Sequence, residues 1–283
     1  MQPIKTTHGE LDFTARPLVM GILNVTPDSF SDGNQYLDPA TAARHALTLQ
    51  NEGADLIDVG AESSRPGSDP VAVDEQIRRL VPAIRQTRDA GVTVPISVDT
   101  RLAGVAAAAL DAGADFVNDI AALRDDPDLK TLVAERGVAV VLMHMAGTPT
   151  DMQDDPRYDD VVAEIVAFLE QRIAAAVDAG ITRERIIIDP GIGFGKRNAH
   201  NLEILRRLGE LQTLKRPILV GTSRKMFIGA ATDTPEPADR LMGTAATVSA
   251  AVLAGANILR VHDVAAMRQV VAMSHAINAS ANK

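Results

Sequence analysis

Short apolar runs along this chain end in polar side chains of two chemical kinds. Asp99, Asn118 and Asp189 follow the runs at 95–98, 116–117 and 186–188. Two carboxylates and an amide suit a flat, nitrogen-rich heterocycle carrying an amino group and ring N–H donors. Lys225, Arg260 and His262, with Asn24 and the loop residue Arg65, are cations or donors and suit a phosphate or diphosphate. Asp58 with Glu62, His144 and Ser223 complete a set in which each run ends in a polar group. One such residue alone is more often a cap for the next helix. The whole set points to a site, because a core rim has no use for so many groups of defined geometry. The expected arrangement is one mouth with a heterocycle deep inside and an anion nearer the rim.

Side chains so far apart in sequence can meet only if their runs lie side by side. A repeated phrase supplies that frame: Gly53-Ala54-Asp55-Leu56-Ile57-Asp58, Gly113-Ala114-Asp115-Phe116-Val117-Asn118 and Gly255-Ala256-Asn257-Ile258-Leu259-Arg260, with a looser copy from Gly180 to Asp189. A glycine just past a helix adopts the left-handed geometry that closes it, and a short apolar run after it reads as a buried parallel strand. Runs at 18–23, 56–59, 95–98, 116–117, 138–143, 186–188, 217–220 and 258–261 alternate with helical segments at 39–52, 74–90, 102–112, 127–136, 159–179, 199–209, 238–254 and 264–279. In the fifth helix Val161, Ile165, Leu169, Ile173 and Val177 recur every fourth residue. The expected fold is α/β, a single (β/α)₈ barrel occupying residues 1–283 with its core at about 17–279. The connections 26–38, 62–73 and 221–237 all follow strands, which marks that mouth as the working face.

The chain has 283 residues, 46% hydrophobic but only 3% aromatic, so its core should be mostly Ala, Val, Ile and Leu. A formal charge of −9 argues against nucleic acid or an anionic membrane as partner. The absence of cysteine rules out disulfides and thiolate metal sites. A polar N-terminus with Glu10 and Asp12 argues against a signal peptide, and no run approaches the ~20 apolar residues of a membrane span. A cytoplasmic protein is expected.

Gly191-Ile192-Gly193-Phe194-Gly195-Lys196 invites a nucleotide-binding reading, but a dinucleotide fingerprint needs Gly at Lys196. A phosphate-binding P-loop needs Gly at Pro190 and Ser or Thr at Arg197. The segment reads instead as a flexible loop that brings backbone or Phe194 to a ligand. No HExxH occurs, and a Schiff-base role for Lys225 is disfavoured by the neighbouring Arg224. His45, His200 and His275 fall in helices, and His8 in the N-terminal tail.

The segments GILNVTPDSFSDG (21–33), ESSRPGS (62–68), SVDT (97–100), NDI (118–120), DPGIGFGK (189–196), TSRK (222–225) and RVHDV (260–264) closely resemble dihydropteroate synthase, in order and at every strand mouth. The resemblance implies condensation of 6-hydroxymethyl-7,8-dihydropterin diphosphate with p-aminobenzoate, a sulfonamide target and a homodimer. It implies a pterin held by Asp99, Asn118, Asp189 and Lys225 with Met143 as an apolar wall. Diphosphate would lie at Asn24, Arg65, Arg260 and His262, with Mg²⁺ at Asn24. p-Aminobenzoate would lie among Ser64, Arg65, Pro66, Phe194 and Ser223. Catalysis would rest on Asp99, Asp189, Lys225, Arg260 and His262. Three positions depart from the family pattern: Ser64 for the usual Thr, Ile192 for the common Phe, and Ala146 for a longer polar residue. Pterin-dependent methyltransferases share the acids but have no need of the diphosphate cluster. A non-catalytic pterin-binding paralogue would be expected to lose loop or anion residues that this chain keeps.

Overall fold

A computed structural model describes residues 2–26, 38–62 and 70–280. Its elements run β1 (Ile4–Thr6), β2 (Gly9–Leu11), β3 (Leu18–Asn24), α1 (Pro39–Asn51), β4 (Leu56–Gly60), α2 (Val73–Asp89), β5 (Ile96–Asp99), α3 (Ala103–Ala112), β6 (Phe116–Asp119), α4 (Pro127–Arg136), β7 (Val140–Met143), α5 (Val161–Asp178), β8 (Ile186–Asp189), α6 (Asn198–Arg206), β9 (Leu219–Val220), α7 (Met226–Thr232), α8 (Leu241–Leu253), β10 (Ile258–Val261) and α9 (Val264–Ser280). The strands β3–β10 are parallel and ordered β8-β7-β6-β5-β4-β3-β10-β9, and an Ile188–Ile218 bridge joins the two ends. This is the expected (β/α)₈ barrel. Each strand is buried on both faces, which explains its continuous apolar run.

The repeated phrase does more than end helices. Gly53, Gly113 and Gly255 have φ of +97°, +116° and +97°, closing α1, α3 and α8. The acid or amide two residues later ties its strand to the neighbour. Val19 N–H donates to Asp55 Oδ2 at 2.8 Å, Ile96 N–H to Asp115 Oδ2 at 2.8 Å, and Ile218 N–H to Asn257 Oδ1 at 2.9 Å. These bonds satisfy backbone donors where the ladder begins, at the end of the barrel opposite the mouth.

Three features depart from expectation. The β1–β2 hairpin, read as a tail, closes the barrel floor: Ile4 and Leu11 pack with Leu18, Met20, Phe116, Val141 and Ile187. His8 in its turn bonds Asp115 Oδ1 through its backbone N–H at 2.9 Å. The core therefore starts near residue 4. Strands of three residues are too short for a period-2 pattern to stand out. Helix α7 forms inside the segment 221–237, and α8 starts at Leu241 rather than Ala238. In α5 the buried stripe ends on Ala176 while Val177 is exposed, because 3.6 residues per turn drift away from a strict repeat of four.

Candidate active site

Asn24, Asp99 and Asp189 close their strands, and Asn118 and Arg260 stand one residue before the end of theirs, so the sheet register brings them into rows. Asn24 lies level with Gly60, Gly60 with Asp99, and Asp99 with Asn118, a continuous row across β3–β6. Met143 lies level with Asp189 on β7 and β8. The row is joined from β10. Arg260 Nε donates to Asp58 Oδ2 at 2.6 Å, and its Nη2 reaches Asp99 Oδ2 at 3.4 Å.

Burial raises the Asp99 carboxyl to about 7, the Asp58 charge adds to the rise, and Arg260 opposes it. Asp189 is also raised by burial, against the Gly191 N–H bond at 2.6 Å and the cations Lys225, Lys196 and Arg260. Burial lowers Lys225 to about 8, opposed by Asp189. Burial also works against the Arg260 guanidinium, but Asp58, Asp99 and Asp189 together hold it above its ordinary value. Arg260 thus couples to both expected pterin acids at once.

Phe194 packs against the cluster of Ile120, Met143, Met145 and Met152, so it shares one apolar surface with the expected wall residue Met143. Lys225 Nζ lies 4.6 Å from the Phe194 ring centre and donates to Ile192 O. Ser223, expected near p-aminobenzoate, lies with the anion residue His262. Its Oγ accepts the His262 backbone N–H at 3.2 Å and sits 2.9 Å from His262 Nδ1. Between Ser223 and Lys225, Arg224 takes φ of +60°. Arg224 is held there by Thr244 Oγ1, by two bonds to Asp263, and by Arg240 Nη1 on its carbonyl. Ser64, Arg65 and Pro66 lie outside the described residues.

The segment 191–196 is pinned rather than flexible. Gly191, Gly193 and Gly195 take φ of +66°, +86° and +61°. A Cβ at Gly191 would run into the His144 carbonyl oxygen. Gly193 N–H donates to Asn201 Oδ1 at 2.7 Å, Tyr158 OH to Gly195 O at 2.7 Å, and Gln153 Nε2 to Gly193 O at 2.8 Å. Lys196 is buried, with Nζ 2.8 Å from Phe194 O and 2.9 Å from His144 Nδ1. His144, read as part of the polar ring, is spent on this contact and on an edge-on packing against Phe168 of α5. Burial, with Lys196 and Arg124, pushes its ring down to about 2, so it stays neutral. Lysine inside an apolar, glycine-rich segment was the available signal for this anchor.

The family model for pterin binding enzymes matches residues 20–262. A dihydropteroate synthase of Synechocystis is 42% identical over 275 residues, covering 97% of this chain and 95% of that protein. A Yersinia pestis dihydropteroate synthase, solved with a sulfonamide drug complex, superposes with a TM-score of 0.92 at 40% identity, covering 98% of this chain and 100% of that one. A Xanthomonas albilineans dihydropteroate synthase in complex with 7,8-dihydropteroate gives 0.88 at 43% identity, covering 98% and 99%. The parallel barrel, its polar strand ends and these likenesses agree: the chain belongs to the pterin binding enzymes and, among them, to the dihydropteroate synthases.

Proposed function

We propose that this chain is a transferase of folate biosynthesis that joins 6-hydroxymethyl-7,8-dihydropterin diphosphate to p-aminobenzoate, releasing diphosphate and 7,8-dihydropteroate. The observation that carries the reading is Arg260, a cation suited to an anion that the fold ties directly to the buried acids Asp58 and Asp99. Asp99, Asn118, Asp189 and Lys225 would hold the pterin against Met143. Asn24, Arg65, Arg260 and His262 would hold the diphosphate. Ser64, Arg65, Pro66, Phe194 and Ser223 would surround p-aminobenzoate.

Cleavage of the bond between the exocyclic carbon and the diphosphate oxygen leaves a cation conjugated with the ring. Ionised Asp99 and Asp189 stabilise that charge in a site where burial weakens competition from water. Arg260, His262 and Lys225 take up the departing anion. The aminobenzoate nitrogen then forms the new C–N bond with its lone pair and releases a proton. An arylamine is neutral near pH 7, so no strong base is required. This fits a site built on acids and cations.

Asn24 offers one neutral oxygen. Among the described residues no group of three or more His, Asp or Glu could hold a metal. That donor set fits Mg²⁺, which keeps several waters and binds through few protein ligands plus substrate phosphates. Bound there, Mg²⁺ would neutralise charge on the diphosphate.

Met242, Met273, Leu253 and Ile277 leave large apolar surface exposed on α8 and α9, where a second copy of the chain would cover it. No helix among the described residues is long and apolar enough to cross a membrane. A cytoplasmic homodimer is the corresponding proposal. The activity is tested by mixing the protein with both substrates and Mg²⁺ and following pyrophosphate. Release that depends on p-aminobenzoate supports it; no release overturns it.

A further inference from the structure

Barrel interiors are normally filled by layers of branched apolar side chains. At the centre of β4, level with Ile22 on β3 and Ser97 on β5, this barrel instead buries the carboxylate of Asp58 completely. Three strands supply its partners. Ser97 Oγ donates to Oδ1 at 2.6 Å, Asn118 Nδ2 to Oδ2 at 3.2 Å, and Arg260 Nε to Oδ2 at 2.6 Å.

We infer that Asp58 is a positioning residue that fixes both the guanidinium plane of Arg260 and the amide orientation of Asn118. This rests on the function proposed above. A planar fork held at Nε has lost its freedom to turn about its own stem, so its remaining donors face one direction. Among the described residues only the 3.4 Å contact with Asp99 engages them further. They are therefore available to an anion. The same carboxylate sets what Asn118 can read. A carboxylate oxygen accepts and does not donate, so the Asn118 nitrogen must face Asp58 and its Oδ1 must face elsewhere. Asn118 then presents an acceptor, the sense required by the amino and ring N–H groups of a pterin. With an amide at position 58 either orientation of Asn118 would find a partner, and the discrimination would weaken. Asp58 alone would be a buried charge without its partner, whereas Arg260 alone would keep only its longer contact to Asp99.

The test uses the full chain and the variants Asp58→Asn and Ser97→Ala. Binding of inorganic pyrophosphate with Mg²⁺ and of 6-hydroxymethylpterin is measured by calorimetry, alongside steady-state kinetics. Asp58→Asn should weaken both ligands about tenfold or more, and lower kcat, while the KM for p-aminobenzoate stays within about twofold. Ser97→Ala keeps the charge pair but frees Oδ1, and should show a smaller loss of the same kind. If Asp58→Asn fails to fold, Ser97→Ala carries the test. The double variant Asp58→Asn/Arg260→Ala should bind pyrophosphate no more weakly than Arg260→Ala alone. Unchanged affinities in a folded Asp58→Asn, or in Ser97→Ala if the other is unfolded, would overturn the assignment, as would additive losses in the double variant. Wild-type protein that neither binds pterin nor releases pyrophosphate would overturn the proposed function instead, so the two failures are separable.

Discussion

At the scale of single residues, the site works by burying charge and then providing the ligand that repays it. Asp99 illustrates this, with its carboxyl raised to about 7 by burial and by Asp58. Below that value the free protein holds Asp99 protonated, and a donor-rich or cationic pterin favours the ionised form. Affinity for 6-hydroxymethylpterin should therefore rise from pH 6 to pH 8 and then level, and Asp99→Asn should flatten the profile, both read by calorimetry. The sign for stability is the reverse. A raised carboxyl costs the ligand-free fold stability as pH climbs from about 4, where the unfolded chain ionises, to about 7, where the folded one does. Asp99→Asn should remove that loss in melting scans across this range. Its kcat should fall about 100-fold or more, and near-normal turnover would remove Asp99 from the chemistry.

At the scale of elements, the loop 190–197 is anchored at the mouth while the N-terminal hairpin seals the opposite end of the barrel. Lys196 joins the loop to His144, so Lys196→Met leaves the ring nitrogen and Phe194 O without their partner. Each lost bond of this kind costs about 1–3 kcal/mol. A melting temperature lower by several degrees and a raised KM for p-aminobenzoate are expected, because Phe194 loses its support. A shift in stability alone, with unchanged KM, would show that the loop does not position Phe194. For the hairpin, Leu11 is fully buried in the floor, and Leu11→Ala should cost about 2–5 kcal/mol. A chemical denaturation series measures it. A change below about 0.5 kcal/mol would show the hairpin to be loosely attached.

At the scale of the whole molecule, apolar surface gathers on the outer face of α8 and α9, opposite the side each packs on the barrel. Met242 and Met273 are 78% and 62% exposed, whereas Val248 and Val271 on the same two helices are buried. If two copies meet there, sedimentation equilibrium at low micromolar concentration gives twice the 30.0 kDa chain mass. Met242→Asp/Met273→Asp should return a monomer by placing charge in the interface core. A monomeric wild type would refute the assembly.

Read from sequence alone, the alternation of helix, glycine and apolar run determined the barrel, and the polar residue after each run determined which side chains share its mouth. Both follow from local rules: helix closure, strand burial and a parallel register that leaves strand ends level. Asp99, Asn118, Asp189 and Arg260 were legible for that reason. Partnerships were not. That Asp58 grips Arg260 and Asn118, that Ser223 serves His262, that Lys196 and His144 anchor a loop, and that a hairpin of two three-residue strands seals the floor depend on side chains meeting across strands or across the barrel. Such contacts are set by three-dimensional packing, and no spacing along the chain encodes them.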